Sequence, residues 1–298
     1  MFKKMIYIFL ISFFILSISA VSAESDILDD TTLGTTLDST TDADFDTAMD
    51  TSTTPNNHSY SIKYFDKSVG GNVLKNSKIS KNMPKSTLSQ KIVSMAKKGS
   101  VILKFGNGKG KKIVLCAGIH GNENAANIAA LKFIETIKNK KIKGTIYVIP
   151  FIIPKDTAIN NRTYHSPQKG YVDPNRISNV PGSPGYKIIQ FAKKNNIKFL
   201  IDIHTGGDLA NHKNGHVFAN KKPTSIEETK WLKYIEKNMK PSIKKDTAPK
   251  GYIRGYSKAN NINVVTFEVE RDKGSVSHWA NVEYKMLINA CKYFKLFK

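Results

Sequence analysis

The sequence predicts an α/β fold, in which a mostly parallel mixed sheet is covered by helices on both faces. Short apolar runs suited to buried strands alternate with segments whose apolar residues recur at helical spacing. Such alternation is typical of parallel strands joined by helices. Residues 60–298 contain no internal repeat and are long enough for one domain with a substantial core.

The individual elements follow in chain order. Apolar runs at 101–105 and 112–117 flank a Gly-rich segment with an Asn-Gly pair, which favours a β-hairpin. Ile128, Leu131 and Ile134 share one face of a helix expected over 124–138. The remaining strands are expected at 145–151, 198–203, 216–219 and 263–269, and the remaining helices at 185–194, at 225–239 and from 279 onward.

The region before residue 60 is predicted to hold no folded domain. Residues 1–23 combine Lys3 and Lys4, an apolar stretch and small residues at a cleavage site, the pattern of a signal peptide. We therefore predict a protein that is secreted, either free or associated with the cell wall, with an uncleaved membrane anchor as the alternative. Residues 24–59 are rich in Thr and Asp and have too little apolar surface to offset ordering entropy, so we expect a disordered linker.

The predicted domain is strongly basic. The chain has 46 Lys and Arg against 24 Asp and Glu, and nine of the acidic residues lie within the linker. A domain with this charge binds polyanions. Because an exported chain meets anionic wall polymers, and no aromatic-rich recognition motif is present, we expect a cell-wall polymer and not nucleic acid as the partner. We expect no stable membrane insertion once the signal is removed. The alternative is a solvated Lys-rich surface, because the lysines are scattered.

The two cysteines are expected in different elements, Cys116 in a central strand and Cys291 in the last helix. A disulfide can form in an oxidising compartment. Two buried free thiols are the interpretation we favour.

The chemically informative residues stand where predicted strands end. His120 and Glu123 follow the strand at 112–117, and His204 follows the strand at 198–203. Ligands of such sheets bind at the carboxyl ends of strands. A catalytic zinc needs three nitrogen or oxygen ligands and one open position, so we predict that these three residues bind one Zn²⁺. The alternative for His204 is a strand-end histidine satisfied by hydrogen bonds.

Four short motifs occur in a fixed order along the chain: His-Gly-Asn-Glu at 120–123, Asp-Pro-Asn-Arg at 173–176, Asp-Ile-His-Thr at 202–205 and Thr-Phe-Glu at 266–268. With this order the chain resembles the zinc metallocarboxypeptidases, in the branch of succinylglutamate desuccinylase, aspartoacylase and the bacterial murein tripeptide amidases. The resemblance spans roughly residues 113–272. It implies a zinc-dependent hydrolase with the carboxypeptidase-like α/β fold.

The resemblance implies that Glu268 is the general base and acid, and a carboxylate beside zinc can shuttle protons near neutral pH. Glu270 is the rival on the same strand face. An ion pair with Arg271 is the non-catalytic alternative for Glu268.

The Asp-Pro-Asn-Arg motif implies a substrate clamp and a support for the metal. Asn175 and Arg176 would grip the terminal carboxylate of the substrate. Asp173 would orient His120 through its second ring nitrogen. Without the zinc motifs, these residues would simply be a turn.

Three further assignments rest on looser spacing. Arg162 would polarise the scissile carbonyl, Arg254 would line the substrate pocket, and Tyr256 would be a mobile lid. The alternatives are a surface arginine and loop packing. Arg254 in the pocket would favour substrates with an acidic group.

These expectations describe an exported zinc carboxypeptidase or amidase whose substrate is a peptide, with hydrolysis at a C-terminal peptide or isopeptide bond of murein or pseudomurein peptides. An N-acyl amino acid deacylase and a catalytically inactive wall-binding module are the alternatives. The compact interval between Glu123 and His204 differs from that of digestive carboxypeptidases, so substrate preference does not carry over from them.

Overall fold

The computed structural model describes residues 50–52, 60–206 and 212–297. The predicted signal peptide and most of the predicted linker lie outside these residues. The strands are β1 (Asp50–Ser52), β2 (Tyr60–Asp66), β3 (Ser100–Gly106), β4 (Lys112–Ala117), β5 (Thr145–Ile149), β6 (Tyr164–Ser166), β7 (Gly170–Val172), β8 (Phe199–Gly206), β9 (His216–Asn220), β10 (Ser242–Asp246) and β11 (Asn263–Glu270).

The helices lie between and after these strands. They are α1 (Ser77–Asn82), α2 (Thr87–Ala96), α3 (Asn124–Ile137), α4 (Pro154–Ala158), α5 (Pro184–Lys194), α6 (Ile226–Met239), α7 (Ile253–Ala259) and α8 (Val276–Lys292). Within the described part of the chain, no helix is both long enough and apolar enough to span a bilayer.

One mixed sheet organises the domain, with the strand order β1-β2-β3-β5-β4-β8-β11-β9-β10. Its centre, β5-β4-β8-β11, is parallel, whereas β3 pairs antiparallel with β5 and β9 pairs antiparallel with β11. The strands β6 and β7 form a separate hairpin. The predicted α/β fold class is confirmed.

Side chains alternate between the two faces of the sheet, and each face is covered by helices. Ile113 and Leu115 belong to the core cluster that includes residues of α3 and α8, whereas Val114 and Cys116 belong to the cluster that includes residues of α5 and α7. Cys291 lies in the first cluster, so the two cysteines are on opposite faces. Both thiols are buried and free, as the favoured interpretation held.

The predicted β3–β4 hairpin is wrong, because β5 lies between these two strands. The connecting residues cross the start of β5, where the Thr145 amide donates to the Lys111 carbonyl at 2.9 Å. Gly106 has φ 93°, and a Cβ there would lie 2.1 Å from the Gly144 carbonyl oxygen. The glycines therefore serve a close crossing of two chain segments, and they do not specify a two-strand turn.

Most predicted elements appear within a few residues of their expected bounds, including α3, α5, α6, β8 and β11. The prediction missed β2, α1, α2, α4, α7, β10 and the β6–β7 hairpin. It also treated 24–59 as linker, whereas Asp50–Ser52 pairs antiparallel with β2.

Candidate metal centre and active-site cleft

The parallel centre of the sheet places the candidate residues at one edge. His120 and Glu123 lie in the turn between β4 and α3, and His204 lies near the end of β8. Glu268 of β11 is directly opposite His204 in the strand register. Gly121 permits the turn, because a Cβ there would lie 2.1 Å from the Asp156 backbone.

His120, Glu123 and His204 form a buried cluster. Their candidate ligand atoms all lie within 4.8 Å of one another. Nδ1 of His120 is 2.8 Å from one carboxylate oxygen of Glu123, and Nδ1 of His204 is 2.9 Å from the other. Two imidazole nitrogens and a carboxylate are the donor set of a catalytic zinc site, so the cluster fits a metal ion.

The second nitrogen of each imidazole faces another carboxylate. Nε2 of His120 is 2.7 Å from Oδ1 of Asp173 in a hydrogen bond, and Nε2 of His204 is 2.9 Å from Oδ2 of Asp202. Within the described residues the Asp202 oxygens have no hydrogen bond of good geometry, so the contact with His204 is electrostatic. Both contacts leave Nδ1 as the nitrogen that can bind a metal.

Asp202 was quoted in a motif but received no predicted role. The strand period could have identified it, because residues 202 and 204 of β8 share one face of the sheet.

Glu123 is the centre of the cluster's electrostatics. It accepts the Thr205 amide at 3.0 Å and binds the Arg162 guanidinium at 2.9 Å. Burial opposes its ionisation, but the two flanking imidazoles outweigh burial and hold the pKa of Glu123 well below its usual value.

The two histidines respond in the opposite direction. Burial lowers the pKa of each imidazole, but nearby carboxylates raise it by more, so the pKa of both rings is raised overall. For His120 the strongest of these carboxylates is Glu123. For His204 it is Asp202, followed by Glu123. Carboxylates that face both nitrogens therefore stabilise the doubly protonated form of each ring relative to that of a free imidazole.

A cavity of about 570 Å³ opens onto the cluster. Besides the three candidate ligands, its lining includes Arg162, Asn175, Arg176, Asp202, Phe218, Asp246, Tyr252, Arg254, Thr266, Glu268, Arg271 and Asp272. The structure thus brings most of the sequence-predicted residues to one cleft.

Glu268 and its rival occupy different surroundings. Glu268 lines the cavity, and its pKa is raised, mainly because it is buried. Glu270 is buried, accepts the Asp272 amide at 3.1 Å and is absent from the cavity lining. Arg271 is paired with Asp272 at 3.0 Å. The geometry therefore favours Glu268 over Glu270 for contact with a substrate.

The motif residues Asn175 and Arg176 lie in a short 3₁₀ turn over Pro174–Arg176, and both line the cavity. Asn175 approaches His204, with Nδ2 3.4 Å from Nε2, and accepts the Ile253 amide at 2.8 Å. Arg176 has a side chain that is 44% exposed, and its guanidinium lies 4.0 Å from the ring centre of Tyr252.

Tyr256 lies outside the cavity, which differs from the predicted lid position. Its hydroxyl accepts a hydrogen bond from Gln190 at 3.3 Å, and its ring stacks on Tyr186 of α5 at 6.0 Å. The cause is the start of α7 after Tyr252, which turns residue 256 toward α5. Tyr252, the other tyrosine of the segment 251–256, lines the cavity instead.

Solved structures with a similar fold share little sequence with this chain. A succinylglutamate desuccinylase/aspartoacylase from Rhodobacter sphaeroides is 15% identical, with 67% of this chain and 61% of that chain covered and a TM-score of 0.51. A metallo-carboxypeptidase from Burkholderia cenocepacia is 15% identical, with 65% and 60% covered and a TM-score of 0.52. The tripeptide-bound cell shape determinant protein Csd4 from Helicobacter pylori is 12% identical, with 66% and 56% covered and a TM-score of 0.52.

The match therefore covers at most about three fifths of these proteins, and it establishes the fold. A comparison with curated proteins finds no significant match. The sequence profile of the succinylglutamate desuccinylase/aspartoacylase catalytic domain matches residues 109–278, which include all three candidate ligands and Glu268. The match spans more than half of the chain, and the chain belongs to the succinylglutamate desuccinylase/aspartoacylase catalytic domain family.

Proposed function

We propose that this protein is an exported zinc-dependent carboxypeptidase or amidase that releases the C-terminal residue of short cell-wall peptides. One observation carries the proposal: the buried cluster of His120, Glu123 and His204 opens into a cavity that also contains Glu268 and Arg176. This arrangement provides a metal site, a proton carrier and a carboxylate-binding cation within one cleft.

Zinc would be held by Nδ1 of His120, Nδ1 of His204 and the carboxylate of Glu123. When bound in such a site, zinc polarises a carbonyl and makes water a stronger acid near neutral pH. Asp173 and Asp202 would fix the two rings by holding their Nε2 atoms.

Glu268 is the proposed proton carrier. As a base it would accept a proton from the attacking water, and as an acid it would pass that proton to the leaving amine. Burial raises the pKa of Glu268 and so moves its titration toward the pH at which both steps are needed. Glu268 is opposite His204 in the strand register and therefore lies beside the three proposed metal ligands.

Arg176 is the cavity's most available cation for a substrate carboxylate. Its nearest acidic partner is Asp173, 3.6 Å away, and it rests on the Tyr252 ring. A guanidinium presents paired N–H donors that match the two oxygens of a carboxylate. Asn175, between this arginine and His204, would add an amide to the same clamp.

Arg162 would stabilise the negative charge that develops on the substrate carbonyl oxygen. Its guanidinium is held at 2.9 Å from Glu123 and at 3.0 Å from Asp173. These contacts fix a positive charge beside the metal ligands without requiring movement during the reaction.

Two observations support a peptide of the cell wall as substrate. The N-terminal sequence has the pattern of an export signal, and the predicted domain carries a large excess of Lys and Arg that suits an anionic wall polymer. A relative of similar fold, Csd4, was solved with a tripeptide bound. The family also includes desuccinylase and aspartoacylase, so N-acyl amino acid deacylation is the second candidate.

The test uses the full chain loaded with zinc, and metal content is measured first. Defined wall tripeptides and N-acetyl or N-succinyl amino acids are then supplied separately, and the products are weighed by mass spectrometry. We expect one zinc per chain and release of the C-terminal residue from the tripeptides, with Glu268→Gln as a zinc-loaded inactive control.

Each alternative has its own result. Hydrolysis of N-acyl amino acids alone would establish the deacylase, and a chain without zinc or turnover would favour the wall-binding module. Sequencing the mature N-terminus after expression in an exporting host tests removal of residues 1–23.

A further inference from the structure

The cavity contains four arginines, and each one faces an acid among the described residues. Arg162 and Arg176 face Asp173, and Arg271 pairs with Asp272. Arg254 pairs with Asp246. The cavity is therefore far closer to neutral than its arginines alone suggest.

The Arg254–Asp246 pair differs from the others in burial and attachment. The Arg254 side chain is only 7% exposed, and its guanidinium donates to the Ala219 carbonyl at 2.9 Å as well as to Asp246. Arg176, by contrast, is 44% exposed and has a long acidic contact. Arg254 is thus a fixed cation whose charge is already balanced within the pocket.

Asp246 has the position needed to influence a bound side chain. It ends β10, lines the cavity together with Arg254, and keeps 38% of its side chain exposed. A substrate carboxylate near Arg254 would either displace Asp246 from its partner or lie beside a like charge, and both carry a cost.

We infer that Asp246 is a specificity-determining residue. By neutralising Arg254, it makes the pocket accept C-terminal residues with uncharged or ammonium-bearing side chains and discriminate against acidic ones. This inference rests on the proposed function, and it reverses the expectation that Arg254 selects an acidic substrate.

The test compares three tripeptides that differ only in a C-terminal Ala, Lys or Glu. Wild-type protein loaded with zinc should show a kcat/KM for the Glu peptide at least about tenfold below that for the Ala peptide. Asp246→Asn leaves Arg254 unbalanced and should raise the Glu-to-Ala ratio by about 10- to 100-fold, the range for a hydrogen bond to a charged group.

Three variants serve as matched comparisons. Asp246→Glu keeps the negative charge and should keep the wild-type order of kcat/KM among the three peptides. Arg254→Gln should have the opposite effect on specificity: it should lower kcat/KM for the Glu peptide and raise kcat/KM for the Lys peptide. Asp272→Asn removes the acid of the more exposed pair with Arg271 and should change the Glu-to-Ala ratio much less.

Zinc content and thermal melting of every variant show whether it is folded. Equal rates for Glu and Ala peptides in the wild type, or an unchanged ratio in Asp246→Asn, would overturn the inference. If no peptide is hydrolysed, the proposed function fails, and the same three peptides are titrated calorimetrically into zinc-loaded Glu268→Gln with and without Asp246→Asn. Weaker binding of the Glu peptide than of the Ala peptide, and a gain for the Glu peptide when Asp246→Asn is added, would then support the role of Asp246. Equal Kd values, or no change with Asp246→Asn, would refute it.

Discussion

Replacing Asp202 by Asn should weaken zinc binding while leaving the three proposed ligands in place. Asp202 is 1% exposed, and its only ion-pair contact in the described part of the chain is with Nε2 of His204. Replacement of a carboxylate that supports a metal-bound histidine costs about 10- to 100-fold in affinity. Because the contact is 2.9 Å long but poorly directed for hydrogen bonding, we expect the lower part of that range, about 10- to 30-fold, or roughly 1.4–2 kcal/mol.

The effect should depend on pH in a defined direction. Protons and zinc compete for Nδ1 of His204. Burial lowers the pKa of this ring, but Asp202 and Glu123 outweigh burial and raise it, so the pKa falls when Asp202 loses its charge. On acidification the wild type should lose affinity sooner than the variant, and the difference between them should narrow.

The assay is competition with a chromophoric chelator at pH 6, 7 and 8. Asp272→Asn is the matched control, because Asp272 also lines the cavity but pairs with Arg271. Wild-type affinity in Asp202→Asn at pH 8 would refute the reasoning, and so would a difference that widens toward pH 6.

Three further predictions concern catalysis and stability. Glu268→Gln should keep its zinc and lower kcat by about 10²- to 10⁴-fold. In the wild type, the fall of kcat/KM on the acid side should occur above pH 4.5, because burial raises the pKa of Glu268. Arg176→Ala should raise KM for peptides more than it lowers kcat, whereas an equal effect on both would argue against a carboxylate clamp. Glu283 is fully buried and has no hydrogen-bond partner in the part of the chain that the structure describes, and burial raises its pKa well above 4.5. The folded state therefore keeps a proton that the unfolded state releases. The free energy of unfolding should then fall by up to about 1.4 kcal/mol per pH unit above pH 4.5. Glu283→Gln should flatten this decline, as measured by urea unfolding at pH 5 and pH 8.

Elements with a clear hydrophobic period were predictable from the sequence. The spacing of Ile128, Leu131 and Ile134 identified α3. The mostly apolar residues 199–203, which are all buried, identified β8 as a strand covered on both faces. A similar pattern was available for α2, where Ser86 caps the helix at the Ser89 amide and Leu88 and Ile92 are buried, but it was overlooked.

Strand pairing was less predictable than strand existence. The Asn-Gly pair correctly indicates positive φ, since Gly108 has φ 81°, but the same turn chemistry serves a chain crossing over β5. Which strand is the neighbour of β3 depends on contacts with β5, which is distant in sequence and which no local motif describes.

In the cleft, short motifs located the residues that follow strands, because the ends of parallel strands meet at one edge. Asp246 was not found, since it enters the cavity from the end of β10, outside the four motifs. The segment 251–256 offered two tyrosines, and the start of α7 decides that Tyr252 and not Tyr256 faces the cleft.

The charges around the side-chain cluster of His120, Glu123 and His204 explain why this cluster suits a divalent ion. Each of the two histidines has carboxylates at both nitrogens, and these carboxylates raise the pKa of both rings, so each ring favours its cationic form more than a free imidazole does. When both rings are protonated, their two positive charges and that of the Arg162 guanidinium equal the three negative charges of the Glu123, Asp173 and Asp202 carboxylates. A divalent ion that replaces one proton on each ring leaves this balance unchanged, because two positive charges leave and two arrive. An ion of any other charge would leave a buried imbalance, and burial of an uncompensated charge is costly. The same carboxylates that orient the rings therefore also favour an ion of charge +2 over one of lower charge.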